Sequence, residues 1–453
     1  MAETESHPGD PGPLTYGRVL ALAAPIILAN LAVPLLGIVD TAVIGHLGRA
    51  APLAAIAIGS QIFNFLYWSM GFLRMGTTGL SAQADGADND AEVRAVLLRS
   101  LLLGIAIGVL LVFGQRPIAL AAAWAFETSP DVAAMAGEYF EIRIWGAPAT
   151  MVTYVALGWF IGLRQTRIVL LLQVFLNGLN IVLDVLFVVG LGWGIRGVAV
   201  GTLISEWSAA LLALGLIAWR LRRRRPDRNA TSSLISRVFD PKAVVATIDV
   251  NRDIFVRTVL LIAAFAWFTR QGAKSGEVVL AANHVLLQFL AFSAFFLDGF
   301  AFSTEALVGQ AVGAESRIRL NRAVRLTTVL GLATAAVTAA VFALAGPRII
   351  DGLTTADDVR TIARAFLPYA VLHPLLGLWC FQLDGIFIGA TRTADMRNTM
   401  IVSFVIYMVV WWLLWVPLGN HGLWIAFLVF FAARGITLGV RYPALVESVS
   451  SAP

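Results

Sequence analysis

Long apolar stretches separated by short polar segments run through the chain from residue 17 onwards. Nearly all of the twelve stretches are long enough to cross about 30 Å of hydrocarbon at roughly 1.5 Å per helical residue. They lie near residues 17–45, 53–82, 97–125, 139–163, 168–191, 198–219, 254–272, 278–312, 324–346, 365–390, 399–418 and 423–440. The pattern predicts an all-α membrane protein with twelve transmembrane helices.

The composition supports the same class. The chain of 453 residues is 58% hydrophobic and 13% charged, whereas soluble domains carry about 25% charged residues. Runs such as IVLLLQVFL also lack the alternation of polar and apolar residues that is typical of membrane-spanning strands. These features exclude a water-soluble globular protein and a transmembrane β-barrel.

The basic residues indicate how the chain is oriented. Most of the 33 lysines and arginines fall in the N-terminal segment, in the turns after even-numbered spans and in the C-terminal segment, with a cluster between Arg220 and Arg228. The positive-inside rule then predicts that both termini are cytoplasmic. We expect a multi-pass, monomeric protein of the cytoplasmic membrane, whose basic cluster contacts the lipid bilayer surface rather than nucleic acid.

The two halves of the chain are copies of each other. At an offset of 227 residues, eleven of the thirty-five pairs between 53–87 and 280–314 are identical. The same offset aligns GWFIG at 158–162 with GIFIG at 385–389, and each Gly-x-x-x-Gly pair predicts a close-packing face between helices. Because each copy holds an even number of spans, the repeats are parallel, an architecture typical of transporters.

This organisation predicts five segments. They are a disordered tail at 1–13, a six-helix N-terminal lobe at 14–220, a cytoplasmic basic linker at 221–252, a six-helix C-terminal lobe at 253–442 and a tail at 443–453.

The sequence carries no pattern typical of an enzyme. A phosphate-binding loop requires a lysine after glycine, and the only two lysines are Lys242 and Lys274, which follow Pro241 and Ala273. The five histidines are scattered, and no G-x-S-x-G motif occurs. We therefore expect no catalytic activity and no cofactor, with energy supplied by an ion gradient or by the gradient of the substrate.

Acidic and amide side chains inside the first-half spans are the main candidates for an ion site. Asp40 lies within the first span, where a carboxylate costs several kcal/mol unless it is paired, protonated or hydrogen-bonded. In the fifth span, Asn177, Asn180 and Asp184 share one helical face. Such oxygen atoms suit Na⁺, and paired carboxylates also suit a proton. The alternative is a structural cluster of interhelical hydrogen bonds.

The sixth span extends this polar region, and the repeat restricts it to one half. Thr202 and Glu206 are one turn apart on one face of that span. At the repeat offset, Asp40 aligns with Trp267 and Asp184 with Trp411. The sequence therefore predicts a specialised ion site in the first half only.

The second half has its own acids. Asp298 and Glu305 share a helical face, and Asp384 lies two spans later. Two interpretations stay open for these acids, a substrate route or ion pairs with Arg257 and Arg392.

Four further features each have two interpretations. Arg74 is either a charge partner of a nearby acid or a substrate contact, and Tyr139 and Arg143 are either interfacial anchors or pocket residues. The tryptophans at 411, 412 and 415 face either lipid or an aromatic cavity.

Several of these motifs resemble those of the multidrug and toxic compound extrusion (MATE) family and of its DNA-damage-inducible protein F branch. The resemblance covers nearly the whole chain. It rests on Pro25 to Val39-Asp40-Thr41 with Gly45 and Gly48, on Asn180-Ile-Val-Leu-Asp184 through Gly192-Trp-Gly194 and Gly197 to Thr202, on Asn251 to Arg257 with Phe268 to Gly272, and on Leu297 to Ala301 through Glu305 to Gly309.

The resemblance implies a V-shaped pair of six-helix lobes that alternates between inward-open and outward-open states. It implies export of organic compounds in exchange for inward H⁺ or Na⁺. The cation site, and the metal ligands if the ion is Na⁺, would be Asp40, Asn180, Asp184 and Thr202, with Pro25 as the bending point of the first helix. Asp40 and Asp184 would share or exchange the ion, in competition with the substrate.

Two other functions are alternatives to this one. A flippase for a lipid-linked precursor, or an exporter of a metabolite, can share the two-lobe architecture, but a large anionic headgroup calls for several arginines in the cavity. The candidates are Arg74, Arg257 and Arg143, and the acids outnumber them, which favours a cationic or amphipathic small organic substrate. A passive channel or scaffold would leave the buried acids unexplained.

Overall fold

A computed structural model provides the coordinates of the chain. It describes the backbone of residues 14–45, 50–125, 129–223 and 230–449. Side chains are described for the same residues except 33–45, 50, 123–125 and 230–233. The disordered tail expected at 1–13 lies outside the described residues, as do Gly48 and the end of the chain after residue 449.

The regular secondary structure in these ranges is helical throughout. The first half contains α1 (Tyr16–Gly45), α2 (Ala50–Ser69), α3 (Phe72–Gly86), α4 (Asp90–Phe113), α5 (Gln115–Ala125), α6 (Pro130–Arg143), α7 (Ala147–Gly162), α8 (Thr166–Asp184) and α9 (Gly194–Arg223). The second half contains α10 (Ala230–Val238), α11 (Pro241–Ala273), α12 (Glu277–Gly313), α13 (Arg317–Leu353), α14 (Asp357–Gly389), α15 (Thr393–Leu418), α16 (Asn420–Gly439) and α17 (Tyr442–Ser448).

Ten helical segments in the described residues are long and apolar enough to cross a membrane. Two predicted spans are not among them. The first is α1, whose part with described side chains, Tyr16–Ala32, is apolar but shorter than a span. The second is α11, which is 33 residues long but carries charged side chains through its first half. With these two helices included, each half contributes six spans to an all-α, two-lobe fold.

Some predicted spans are divided by local breaks. The second span consists of α2 and α3, which are separated at Met70 and Gly71, and the third consists of α4 and the separate α5. A 3₁₀ turn at Ile144–Gly146 joins α6 to α7, and α8 continues into a π-helix at Val185–Gly190. Hydrophobic periodicity does not register such breaks, because the side chains on both sides are apolar.

Helix also extends into the predicted linker. Whereas the linker was expected at 221–252, α9 continues to Arg223 and α11 begins at Pro241. Pro241 is at the first turn of α11, where its missing N–H group removes no helical hydrogen bond, and the Asp240 side chain caps the helix by accepting from the Lys242 N–H.

The repeat found in the sequence is a repeat of contacts. In the first half, Gly158 packs against the backbone of Arg74, and a Cβ atom at Gly162 would lie 2.8 Å from the Thr78 carbonyl oxygen. In the second half, 227 residues later, a Cβ atom at Gly385 would lie 2.6 Å from the Ala301 carbonyl oxygen. The two Gly-x-x-x-Gly pairs therefore let α7 approach α3 and let α14 approach α12, as small residues do between membrane helices.

The two lobes are joined by a pseudo-symmetric contact on the side where α9 ends and α11 begins, here called the linker side. Gly86 packs against the backbone of Gln310, and Gly313 packs against the backbone of Gln83. In the repeat, Gly313 is the counterpart of Gly86 and Gln310 is the counterpart of Gln83. We call these four residues the linker-side seam. Gln83 Nε2 also donates to the Gly389 carbonyl oxygen at 2.9 Å.

Other contacts between the lobes extend from this seam to mid-depth. Asn30 Nδ2 donates to the Phe295 carbonyl oxygen at 3.4 Å, and the rings of Trp68 and Phe265 lie 6.0 Å apart. Among the described side chains, every hydrogen bond and ring contact between the lobes lies at the depth of these two pairs or closer to the linker side. The lobes are therefore joined in that half of the molecule.

Candidate functional site

The predicted polar face of the N-terminal lobe is assembled from α8 and α9. Asn177, Asn180 and Asp184 are all buried, and Asp184 is fully buried. Asn180 Nδ2 donates to Thr202 Oγ1 at 3.2 Å, and Thr202 Oγ1 donates to the Val198 carbonyl oxygen at 3.0 Å. The structure thus brings three of the four predicted ion ligands together from two helices.

Two local features place the Asp184 carboxylate against α9. Gly201 has no side chain, and a Cβ atom there would lie 2.5 Å from Asp184 Oδ1. Asp184 is also the last α-helical residue before the π-helix at Val185–Gly190, a geometry that is common at functional sites. The sequence analysis did not identify Gly201, although a glycine beside Thr202 in the sixth span was a visible signal.

The fourth predicted ligand, Asp40, lies on α1, which packs against α8. Its side chain lies outside the described residues. Its repeat counterpart Trp267 is described, and the ring of Trp267 contacts the ring of Trp411 at a centroid distance of 4.9 Å and an angle of 89°. Trp411 is the counterpart of Asp184, so the two positions occupied by acids in the first half are neighbours in the second.

Pro25 lies on the same helix, nearer its N-terminal end. The α1 helix is continuous from Tyr16 to Gly45, and Pro25 is half-buried within it. A proline inside a helix removes one backbone hydrogen bond and favours a kink. The predicted role of Pro25 as a bending point stays a prediction.

A second buried cluster lies one turn from Thr202. Glu206 Oε1 accepts from Arg143 Nη2 at 3.4 Å, and Arg143 Nη1 donates to the Tyr139 hydroxyl at 3.0 Å. The Arg143 guanidinium also lies 4.5 Å from the centre of the Phe63 ring, a cation–π geometry. Among these groups, Glu206 Oε2 has no hydrogen-bond partner in the described part of the chain.

The position of Tyr139 corrects one of the two interpretations offered for it. An interfacial anchor would expose its ring to the membrane surface, but Tyr139 is only 2% exposed. It packs inside the lobe because Gly59 on α2 leaves room for its ring. Arg143 is likewise held inside the lobe by Glu206, so neither residue is an anchor at the membrane surface.

The C-terminal lobe contains a buried ionic network centred on Asp384. Asp384 Oδ2 accepts from Arg434 Nη2 at 2.7 Å and also accepts from Arg257 Nη2. Each of the three residues is at most 9% exposed. The pairing of Asp384 with Arg257 is one of the alternatives left open by the sequence, whereas Arg392 pairs with Asp395 on its own helix at 3.1 Å.

Arg74 and Glu305 form an ion pair between the lobes. Arg74 Nη1 on α3 lies 3.2 Å from Glu305 Oε2 on α12, and the guanidinium lies 3.7 Å from the centre of the Phe302 ring. Asp298, two turns from Glu305 on the same helix, is half-buried and lies within electrostatic range of Arg74 and Arg257. The acid predicted to contact Arg74 is therefore Glu305, across the lobe boundary.

Arg434 is the residue of this network that the sequence analysis missed. The positive-inside pattern includes Arg257 and Arg434 among the basic residues of the linker side, but both are buried side chains within helices. Arg434 is a single charged residue within the apolar run FLVFFAARGITLG. Arg74 was recognised as a candidate because it also lies within a span, and the same reasoning applies to Arg434. Most of the basic residues still lie on the linker side after this correction.

The tryptophans of α15 differ in their surroundings. Trp412 is 69% exposed on the outer surface, whereas Trp411 contacts Trp267 and Trp415. The described side chains, which do not include that of Asp40, form no cluster of three or more His, Cys, Asp or Glu that could hold a metal ion.

The chain was compared with known families and structures. The family model described as MatE matches residues 25–186 and 255–413, most of both lobes. The chain is 40% identical to the DNA damage-inducible protein F of Escherichia coli over 92% of its own length and 90% of that protein. It is 28% identical to the probable multidrug resistance protein NorM of Rhizobium meliloti, covering 97% of the chain and 96% of that protein.

Solved structures agree on the fold. A transporter of the MOP superfamily from Pyrococcus furiosus superposes with a TM-score of 0.82 at 18% identity, covering 96% of both chains. A MATE transporter from Vibrio cholerae gives the same TM-score and identity, covering 96% of this chain and 97% of that one. Given the match to both lobes and the 40% identity over most of the chain, the protein belongs to the MATE family of multi-pass membrane transporters, whose members are efflux proteins rather than enzymes.

Proposed function

We propose that the protein is a secondary active antiporter that exports small organic compounds, cationic or amphipathic in character, across the cytoplasmic membrane. Inward movement of H⁺ or Na⁺ through the N-terminal lobe would drive the export. The ion would bind among Asp40, Asn180, Asp184 and Thr202, and no cofactor would take part. Both termini would be cytoplasmic, and one chain would form the working unit.

The observation that carries this proposal is the one-sided placement of buried polar groups. Asn180, Asp184 and Thr202 form a desolvated oxygen-rich face in the N-terminal lobe, while aromatic rings fill the equivalent region of the C-terminal lobe. A buried carboxylate costs several kcal/mol in a membrane span. The corresponding helices of the C-terminal lobe pack with tryptophans at the positions of these acids. Helix packing alone therefore does not require the acids.

Ion binding at this site would be coupled to the state of the lobes. Antiport requires that the ion favour the state from which the substrate has left, by a differential affinity of a few kcal/mol. In the structure the lobes are joined on the linker side. With the linker in the cytoplasm, this arrangement corresponds to a state closed to the cytoplasm, and Pro25 lies in the helix that links the ion site to both lobes.

The charge pairing disfavours the lipid-linked precursor flippase. The three arginines that could bind a large anionic headgroup are each paired with an acid: Arg74 with Glu305, Arg143 with Glu206, and Arg257 with Asp384. Binding an anion there would require these buried pairs to break, at a cost of about 3–5 kcal/mol each. A cationic or amphipathic substrate requires no such exchange.

The test is efflux of a fluorescent organic cation from proteoliposomes, with a pH gradient and a sodium gradient imposed separately. The native chain is compared with Asp40→Asn, Asp184→Asn and Asp357→Asn. Asp357 is the matched control because its side chain is 92% exposed at the start of α14. We expect one gradient to drive efflux, both site variants to reduce that efflux to the level of empty liposomes, and the control to transport like the native protein.

Two results would contradict the proposal. Efflux that proceeds equally with and without either gradient would indicate a passive pathway. Full gradient-driven efflux by a folded Asp184→Asn variant would remove the ion site from the N-terminal lobe. Circular dichroism and gel filtration of each variant identify loss of folding as a separate cause.

A further inference from the structure

An apolar groove lies on the outer surface of the C-terminal lobe. Its volume is about 480 Å³, with α14 as its floor and α13 and α16 as its walls. The lining includes Trp379 and Leu383 from the floor and Gly435, Ile436 and Gly439 from one wall. The one amide in the floor, Gln382, is already hydrogen-bonded to Thr304 and Thr327, so the groove offers a ligand an almost purely hydrocarbon surface.

The groove faces the bilayer rather than the other lobe. Another face of α14 carries Gly385 and Gly389, which pack against α12 on the side of the N-terminal lobe. In contrast, Trp379 is 48% exposed and Ile436 is 67% exposed. In a membrane protein, side chains exposed on this perimeter are surrounded by lipid chains.

Gly439 on α16 leaves the groove open, and a larger residue occupies the matching position of the other lobe. A Cβ atom at Gly439 would have only Leu383 Cδ1 within 4 Å, at 3.8 Å. The repeat counterpart of Gly439 is Leu212, which packs against the core of the N-terminal lobe. A leucine in one copy and a glycine in the other thus distinguish a filled surface from an open one.

The dimensions match one lipid chain in one leaflet. From Leu376 to Ile386 the floor spans eleven residues of helix, whose ten steps rise roughly 15 Å at 1.5 Å per residue. This is half of the roughly 30 Å hydrocarbon core. The groove ends on the linker side at Tyr442, the first residue of α17.

The rim at that end is basic. Arg441 directly precedes Tyr442, and Arg317 lies within electrostatic range of Tyr442. Both arginines are exposed, and neither forms an ion pair with another described side chain. Such residues attract anionic headgroups at a membrane surface, by about 1 kcal/mol each.

From this combination we infer that the groove is a binding site for an anionic phospholipid. One acyl chain lies along α14 between α13 and α16, and the phosphate lies beside Arg317, Arg441 and Tyr442. The site is separate from the ion site of the N-terminal lobe and does not depend on the transported substrate.

Native mass spectrometry of the full chain tests the inference, with phosphatidylglycerol and phosphatidylcholine of identical acyl chains as probes. The native protein should retain one phosphatidylglycerol per chain and retain it more strongly than phosphatidylcholine. Gly439→Leu fills the groove and should lose that lipid. Gly215→Leu is the matched control, since Gly215 is an exposed position of α9 with no atom within 4 Å of an added Cβ atom, and it should retain the lipid.

A second variant separates the headgroup from the acyl chain and does not alter packing. Arg317→Gln combined with Arg441→Gln should abolish the preference for phosphatidylglycerol while one lipid of either kind stays bound. Retention of the same lipid by a folded Gly439→Leu variant would overturn the acyl-chain assignment. An unchanged headgroup preference in the double variant would overturn the role of the basic rim.

Discussion

A methyl group added at the linker-side seam should shift the protein towards the state in which the lobes are separated there. In the joined state, a Cβ atom at Gly86 would lie 2.7 Å from the Gln310 Cα atom, and one at Gly313 would lie 2.7 Å from the Gln83 carbonyl carbon. Both neighbours are backbone atoms of helices, so no side-chain rotation relieves the contact. Gly86→Ala and Gly313→Ala are therefore the perturbations of choice.

The size of the effect follows from this contact. Overpacking a close contact costs about 1–3 kcal/mol, and the cost falls only on the joined state because the methyl group meets no partner when the lobes separate. The higher helix propensity of alanine, about 1 kcal/mol over glycine, applies to both states and cancels. The ratio of separated to joined molecules should rise by about 5- to 150-fold for each variant.

The assay is a distance measurement between spin labels on the two lobes. Arg167 at the start of α8 and Ile318 at the start of α13 are exposed on the linker side, and both are replaced by cysteine in a Cys380→Ala background. Each glycine variant should shift the distribution towards longer distances. Gly215→Ala on α9, with no atom within 4 Å of the added Cβ, should leave the distribution of the parent unchanged.

The reasoning would be refuted if folded Gly86→Ala and Gly313→Ala gave the parent distribution. A shift of equal size in Gly215→Ala would also refute it, since the effect would then reflect helix propensity rather than the seam. The two glycines are repeat counterparts, so a shift in one variant alone would contradict the pseudo-symmetry of the contact.

Two further predictions concern the buried ion pairs. Asp384→Asn should lower the free energy of unfolding by about 3–5 kcal/mol, because two buried arginines then share a neutral amide. Thermal unfolding in detergent measures this loss. An unfolding temperature equal to that of the native protein would contradict the prediction. Arg74→Glu and Glu305→Arg should each favour separated lobes in the spin-label assay, since each places two like charges where Arg74 of α3 now pairs with Glu305 of α12. The double variant restores an opposite-charge pair and should recover much of the joined population, whereas additive effects would show that the two residues do not interact there.

The sequence alone determined the class, the helices and the repeat. Hydrocarbon thickness fixes the length of a span, and the absence of water in the bilayer forces backbone groups to pair within helices, so apolar run length was sufficient evidence. The constant offset of 227 residues identified the glycine pairs and seam residues as counterparts, which the contacts of Gly158 and Gly385 bear out. The sequence also identified the polar face of α8, because the spacing of Asn177, Asn180 and Asp184 places them on one side of a helix.

Only the tertiary structure decided which partner each buried charge takes. Asp384 is paired with residues 127 and 50 positions away, and spacing along one helix carries no information about such distant contacts. The burial of Tyr139 depends on Gly59 of another helix, and the outer groove depends on Gly439, where a Cβ atom would have only Leu383 Cδ1 within 4 Å. A sequence pattern specifies which face of a helix is apolar or polar, but the approach of two helices, set by small residues on both, determines what that face meets.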